Sequence, residues 1–146
     1  MNYISVSKVS DTSQLEMAFQ IRREVFVDEQ KVPLEEEIDE YEDESTHFLC
    51  LFSAQPAGAA RWRFTEKGIK LERFAVKKHY RGKGVGSALV SAVLKDIGNH
   101  PGAPGKMYYL HSQLDAVPLY AKFGFQKIGD MFEECNIKHY KMVKKY

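Results

Sequence analysis

One short stretch, Arg81-Gly82-Lys83-Gly84-Val85-Gly86-Ser87, divides the chain into two kinds of pattern. Immediately before it, Ile69 to Val76 reads as a strand. Immediately after it, Val85, Ala88, Leu89, Ala92, Val93 and Leu94 form a helical stripe, predicting a helix over Gly84 to Ile97. A strand that runs through three glycines into a helix lets backbone N–H groups turn inward and approach an anion. The helix N-terminus adds about half a positive charge, and Arg81 and Lys83 add full charges. These are the parts of a diphosphate cradle. The same residues also fit a glycine turn with no ligand.

The flanking pattern extends this frame. Pro101 to Gly105 reads as a loop and Met107 to Leu110 as a short apolar strand. Strand, helix and strand at this length make a βαβ crossover with its two strands parallel. Asp115 to Phe123 reads as a short helix, with Pro118 in its first turn and Gly124 past its end. Phe125 to Ile128 and Ile137 to Val143 read as closing strands. Upstream, Tyr3 to Val9 alternates like a strand. Asp11-Thr12-Ser13 supplies N-cap candidates for a helix carrying Leu15, Ala18, Ile21 and Val25. Pro33 precedes a short acidic helix at Glu35 to Glu37. His47 to Phe52, Ala60 to Phe64 and Ile69 to Val76 form a strand meander, with turns at Gln55 to Gly58 and Glu66 to Gly68. The expected class is α+β, with a mixed sheet of about six to seven strands, antiparallel in its first half, with one parallel pair and flanking helices.

With 146 residues, the chain is expected to form one domain over residues 1–146 and to need no disulfide or metal staple. The net charge of +1 argues against nucleic-acid binding by bulk charge, and no apolar run reaches membrane-spanning length. Two cysteines outside any Cys-x-x-Cys pair, and an N-terminus unlike a signal peptide, point to the cytoplasm. His47, His79, His100, His111 and His139 show no ligand spacing, so no metal is expected. Cys50 reads as inert core, and nothing places a base beside Cys135. The neutral total hides two opposed runs. Asp28 to Glu44 holds ten of the 20 carboxylates, and Arg61 to Lys83 holds nine of the 21 cations. They read either as ligand-attracting segments or as solvated faces that attract each other.

Nucleotide-binding patterns do not fit the loop. The Walker spacing is missing, and Gly-x-Gly-x-Gly lies deep in the chain rather than on a first βα unit. No acidic residue stands about 20 residues beyond it, where Gly105 and Lys106 lie, and the kinase motifs are missing.

Arg81, Gly84 and Gly86, as Arg-x-x-Gly-x-Gly at a strand-to-helix junction, resemble the acetyl-CoA loop of the GNAT N-acetyltransferases. Leu71 to Val76 is similar to the family's fourth strand, and Leu119 to Phe125 to its Tyr-x-x-x-Gly-Phe segment. Arg22 to Pro33, His47 and Leu110 to Gln113 resemble the ElaA-like branch, so the likeness covers nearly the whole chain. Where that branch usually has Gly-Ile-Pro-His, this chain has Asn136-Ile137-Lys138-His139.

The resemblance implies an N-acetyltransferase that moves an acetyl group from acetyl-CoA to a primary amine by direct transfer, without a metal. Phe74, Ala75 and Val76 would pair with the pantetheine arm in a gap between splayed parallel strands, and a backbone N–H near Val76 would face the thioester oxygen. The pyrophosphate would lie on Arg81, Gly82, Lys83, Gly84, Val85, Gly86 and Ser87. Gln113 joins the cofactor-binding set. Tyr120, neutral at pH 7, is the implied acid for the leaving thiolate, or else an amphipathic tyrosine that caps the core. Glu72 is either a base acting through water or the partner of Arg61, Arg63 or Arg73. Glu29 and Glu35 to Glu37 would draw in an ammonium group, or Arg22 and Arg23 an acidic group of the acceptor. His111 and His139 either line the acceptor pocket or are structural. The acceptor is expected to be a small-molecule amine, and late strands of this family often pair into dimers. A non-catalytic acyl-CoA-binding module and a partner-binding domain with an empty loop are the alternatives.

Overall fold

The computed structural model describes residues 3–145. Seven strands form one sheet: β1 (Ile4–Lys8), β2 (Thr46–Phe52), β3 (Gln55–Thr65), β4 (Gly68–Val76), β5 (Tyr108–Gln113), β6 (Gln126–Glu134) and β7 (Ile137–Lys144). Their order is β1-β2-β3-β4-β5-β7-β6. Among the described residues only β4 and β5 pair in parallel, and the other neighbours are antiparallel. The mixed sheet is the one expected, at seven strands.

The helices α1 (Thr12–Arg22), α2 (Leu34–Glu37), α3 (Val85–Gly98) and α4 (Val117–Ala121) complete the fold. Asp11 caps α1 by accepting the Gln14 N–H at 2.8 Å. Ala18 and Ile21 of α1, with Val25, pack on Leu49, Ala59 and Ala75 of the sheet. The α3 stripe Val85, Leu89, Val90, Val93 and Ile97 packs with Phe48, Trp62, Leu71, Leu110 and Met142. The apolar residues thus form two separate clusters, one around α1 and one around α3.

Local backbone differs from the sequence reading in four places. Gln55 to Gly58 is strand rather than turn. The turn is Ser53-Ala54, both left-handed at φ 47° and 69°. Gly58 serves packing instead, because a Cβ there would lie 2.8 Å from Val85 Cγ1 and 2.9 Å from Leu89 Cδ1. Beyond α1 the chain widens into a π-helix over Arg23–Glu29, which side-chain periodicity does not announce. Strand β6 continues to Glu134 through a bulge that contains Gly129 (φ 76°). Cys135 and Asn136, at φ 50° and 64°, then make the hairpin turn. Asn is among the few residues that tolerate that region, so Asn136 fills the position the ElaA-like branch usually gives to glycine.

Three carboxylates of the acidic run, Glu37, Asp39 and Glu42, are tied to arginines, while Glu35 and Glu36 stay exposed. Arg61, fully buried on β3, meets Asp39 at 2.7 Å, Glu42 at 2.8 Å and Glu72 at 2.6 Å. Arg22, buried on α1, meets Glu37 at 2.6 Å and Glu42 at 2.7 Å. Arg73 reaches Asp39 at 3.1 Å and the Glu37 carbonyl at 3.2 Å. These cations hold Asp39 and Glu72 at about 2 against ordinary values of 3.8 and 4.5, although burial alone pushes both up. A carboxyl with a depressed folded-state pKa stabilises the fold above its unfolded pKa and stops doing so as pH falls through the folded value. The urea midpoint should therefore hold from about pH 7 to about pH 5 and fall steadily toward pH 2. A midpoint unchanged across the acid range would show that this cluster is not linked to folding.

Candidate active site

Strands β4 and β5 stay together for only two residue pairs, Ile69 with Tyr108 and Lys70 with Tyr109. Beyond them the strands part, although β4 runs on to Val76 and β5 to Gln113. A bulge lies where β4 parts from β5. The β3–β4 register steps from Ala59–Ala75 to Arg61–Glu72, so Ala60 opposes two residues, and one of them, Arg73, takes φ 59°. The result is the splayed parallel pair expected from the resemblance.

A cavity of about 530 Å³ fills the wedge. Glu72, Arg73 and Phe74 line it from β4, Leu110, His111 and Gln113 from β5, and Tyr120 from α4. The segment from Phe26 to Tyr41 covers it on one side, and Glu134, Cys135 and His139 close it on another. The structure thus brings together Glu72, Phe74, Gln113, Tyr120, His111 and His139 of the expected set. Ala75 and Val76 continue β4 toward the loop and pair with Ala59 and Gly58 of β3.

Tyr120 is buried, with its ring edge-on to Phe74 at 5.7 Å and to Phe125 at 6.2 Å. Burial and the nearby Asp115 charge push its phenol well above the ordinary value, so it stays protonated. No described residue hydrogen-bonds its hydroxyl. Gln113 exchanges amide hydrogen bonds with Gln30 at 2.9 and 3.3 Å, tying β5 to the segment after α1.

The glycine loop follows the open end of the wedge. Gly82 and Gly84 have φ 75° and 92°, and Gly84 starts α3 with no side-chain cap. The first intrahelical bond runs from Ala88 N–H to Gly84 O at 3.0 Å, so the amides before it face out of the helix start. A Cβ at Gly86 would lie 3.3 Å from Leu119 Cδ2, so this glycine admits α4. Arg81 donates through Nε to the Val76 carbonyl at 3.0 Å and through both terminal nitrogens to Glu29 at 2.6 and 2.8 Å.

Three expected roles do not survive this geometry. Arg22 is buried in its pairs with Glu37 and Glu42, and so cannot orient an acceptor. Glu29 is held by Arg81 at the glycine loop, away from the acceptor wall, and its carboxyl lies below the ordinary range for that reason. Glu72 takes the ion-pair alternative. Arg61 and Arg63 each contact it at 2.6 Å and Lys70 at 3.3 Å, and a carboxyl held at about 2 is a poor base for an ammonium.

Residues 8–146 match the family model of the acetyltransferase (GNAT) domain. The chain belongs to the GNAT family. These enzymes are acyl-CoA-dependent N-acyltransferases. Over 132 residues it is 43% identical to the uncharacterized N-acetyltransferase YjcF of Bacillus subtilis, covering 90% of this chain and 92% of that protein. The crystal structure of Escherichia coli ElaA superposes with a TM-score of 0.83 at 26% identity, covering 99% of this chain and all of that one. A GNAT acetyltransferase from Elizabethkingia anophelis, solved with acetyl-CoA bound, shares the fold with a TM-score of 0.74 at 14% identity, over 98% of both chains. Among the described residues no helix is long and apolar enough to cross a membrane, and no group of three or more His, Cys, Asp or Glu is placed to hold a metal ion.

Sequence reasoning missed several groups that line this GNAT cavity: Tyr41, Arg63, Lys70, Glu134 and Cys135. The polar pair Cys135-Asn136 marked a turn and would have carried β6 to Glu134. Cys135 donates to Glu36 Oε2 at 2.7 Å, and that carboxylate is the main cause pushing its thiol up to about 11. Alkylation of Cys135 by iodoacetamide at about pH 8 should run at least ~tenfold slower than for an unperturbed thiol. Glu36→Gln should restore the rate. An unaltered rate in Glu36→Gln would show that the hydrogen bond does not control the thiol.

Proposed function

We infer that the protein moves an acetyl group from acetyl-CoA to a primary amine by direct attack within a ternary complex. The observation that carries this reading is the parting of β4 and β5 after two residue pairs, with the glycine loop at its open end and the unpartnered Tyr120 hydroxyl within the cavity. A strand edge left without its neighbour offers N–H and C=O groups to an amide-bearing arm, as an added strand would. The exposed amides at the start of α3, with Lys83, supply the charge complement for a pyrophosphate. Phe74 and Tyr120 give the arm an apolar wall.

In the transfer, the neutral amine attacks the thioester carbonyl. The carbon–nitrogen bond forms, the carbon–sulfur bond breaks, and the amine gives up a proton. The leaving sulfur takes a proton from the Tyr120 hydroxyl, which a buried phenol held in its neutral form can supply. The amine's proton leaves to solvent, and solvent returns one to Tyr120. The products are an N-acetyl amine and free CoA. The acceptor is read as an amine of a small molecule entering past Glu35 and Glu36, which line the cavity.

Acetyl-CoA at 100 times its Kd should stabilise the fold by about 2.7 kcal/mol, read as a rise in Tm. Lys83→Glu, at an exposed loop position, should weaken that rise without lowering the Tm of the free protein. No rise at millimolar acetyl-CoA would overturn the reading.

Tyr120→Phe keeps the ring contacts with Phe74 and Phe125 and removes only the hydroxyl. It should retain the acetyl-CoA thermal shift and lower kcat at least ~tenfold. An unchanged kcat would remove Tyr120 from the chemistry.

A further inference from the structure

An ammonium acceptor must lose a proton before it can attack, and Glu72 is locked among cations. We propose that His111 is the general base, with Glu134 as its positioning residue. The inference rests on the transfer reading above.

His111 stands on β5 two residues past Tyr109, the last residue paired with β4. An arm that enters from the glycine loop and runs down the wedge has its far end at this closed apex. The His111 side chain lines the cavity there and is about one-quarter exposed. Its Nδ1 lies 3.2 Å from Glu134 Oε2. Glu134 is held below the ordinary carboxylate range, chiefly by this contact, so it is ionised and can only accept. Nδ1 therefore carries the proton in neutral His111, and Nε2 keeps its lone pair. No described residue takes that nitrogen.

The surroundings fix the ring. Phe132 meets His111 edge-on at 5.1 Å and stacks on His139 at 5.8 Å. His139 donates from Nδ1 to the Ile137 carbonyl at 2.7 Å, and its Nε2 lies 3.9 Å from Glu134 Oε1. It thus acts on the carboxylate and is less exposed than His111. Other charges face the site: Lys70 from β4, Arg63 from β3, and Lys141, the cross-strand partner of His111 on β7. In the reaction the acceptor's proton passes to His111 Nε2 and later to solvent. The amine pair forms the carbon–nitrogen bond, the carbon–sulfur bond breaks, and Tyr120 protonates the departing sulfur and then recovers a proton from solvent.

The test begins with CoA release from acetyl-CoA by the wild-type protein with spermidine, glucosamine, L-lysine and n-butylamine. The amine turned over fastest is used for pH profiles of kcat/KM. The wild-type profile should rise with pH on its acid side. His111→Gln should lose roughly 100-fold or more in kcat/KM and the rising limb with it, while keeping the acetyl-CoA thermal shift. Glu134→Gln should lower kcat/KM and release the ring from the Nδ1–H tautomer, because the ionised acceptor at Nδ1 is gone. Nitrogen-15 NMR of the wild type should show the Nδ1–H tautomer of His111. Turnover in His111→Gln within threefold of wild type, or the Nε2–H tautomer, overturns this proposal alone. No amine-dependent release by wild type overturns the transfer reading and this one with it.

Discussion

Arg61 has no exposed surface, and three carboxylates answer it: Asp39 and Glu42 from the stretch after α2, and Glu72 from β4. Taking a guanidinium out of water costs several kcal/mol, and its partners recover that only when the geometry is good. Here one arginine is shared among three acids, and Glu42 is shared again with Arg22 on α1. The cluster therefore ties α1, β3, β4 and the stretch after α2 to one another. A well-packed apolar core could match its stability, but it would not fix which loop lies against which strand. Glu37 Oε2 is the one buried side-chain oxygen without a donor among the described residues, while its neighbour Oε1 takes Arg22 Nε at 2.6 Å. That asymmetry fits a cluster arranged to hold a loop in place rather than to satisfy every atom.

Two strands that begin as a ladder can part only if something else holds each of them. On the β4 side the holders are β3 and the ion cluster, and the bulge at Arg73 turns that residue's guanidinium toward Glu36, Glu37 and Asp39. On the β5 side, β7 pairs with β5 over its whole length, from Tyr108–Lys144 to Gln113–His139. The cavity is thus a consequence of two rigid half-sheets joined at Ile69–Tyr108 and Lys70–Tyr109. A site built on strands is held more tightly than one built on loops.

The glycine loop, the α3 stripe and the βαβ crossover were legible because each is local: their residue types act on their own backbone within one turn. The parallel pair followed from connection length. Side-chain pairing was not legible in the same way. Nothing in the spacing of Arg22 said that it would turn inward, although it falls four residues after Ala18 and one after Ile21 on the buried face. Glu29 looked available because its partner lies 52 residues along the chain, whereas Glu72 stayed open between base and ion pair. Glu134 was hidden for a different reason. Residues 126–134 carry Gly129, three acids and no clean alternation, since β6 is an exposed edge bent by a bulge and has little apolar face to reveal. The π-helix over Arg23–Glu29 left no trace in composition, yet it carries Glu29, which Arg81 holds.

The Glu29–Arg81 pair changes how the loop should be understood. A guanidinium already held bidentately by a carboxylate, and through Nε by the Val76 carbonyl, has few donors left for a phosphate. The pair is about two-fifths exposed, so water screens it and its strength is modest. Arg81 then serves mainly to pin the end of β4 to the π-helix and to shape the loop. The work of meeting an anion falls to the amides ahead of Ala88 and to Lys83. That division explains why the loop needs glycine at Gly82 and Gly84, where the backbone must take positive φ. Backbone amides placed by such turns keep their orientation whatever the salt, whereas a lysine on a flexible stem is screened and mobile. The loop therefore depends more on its shape than on its charge.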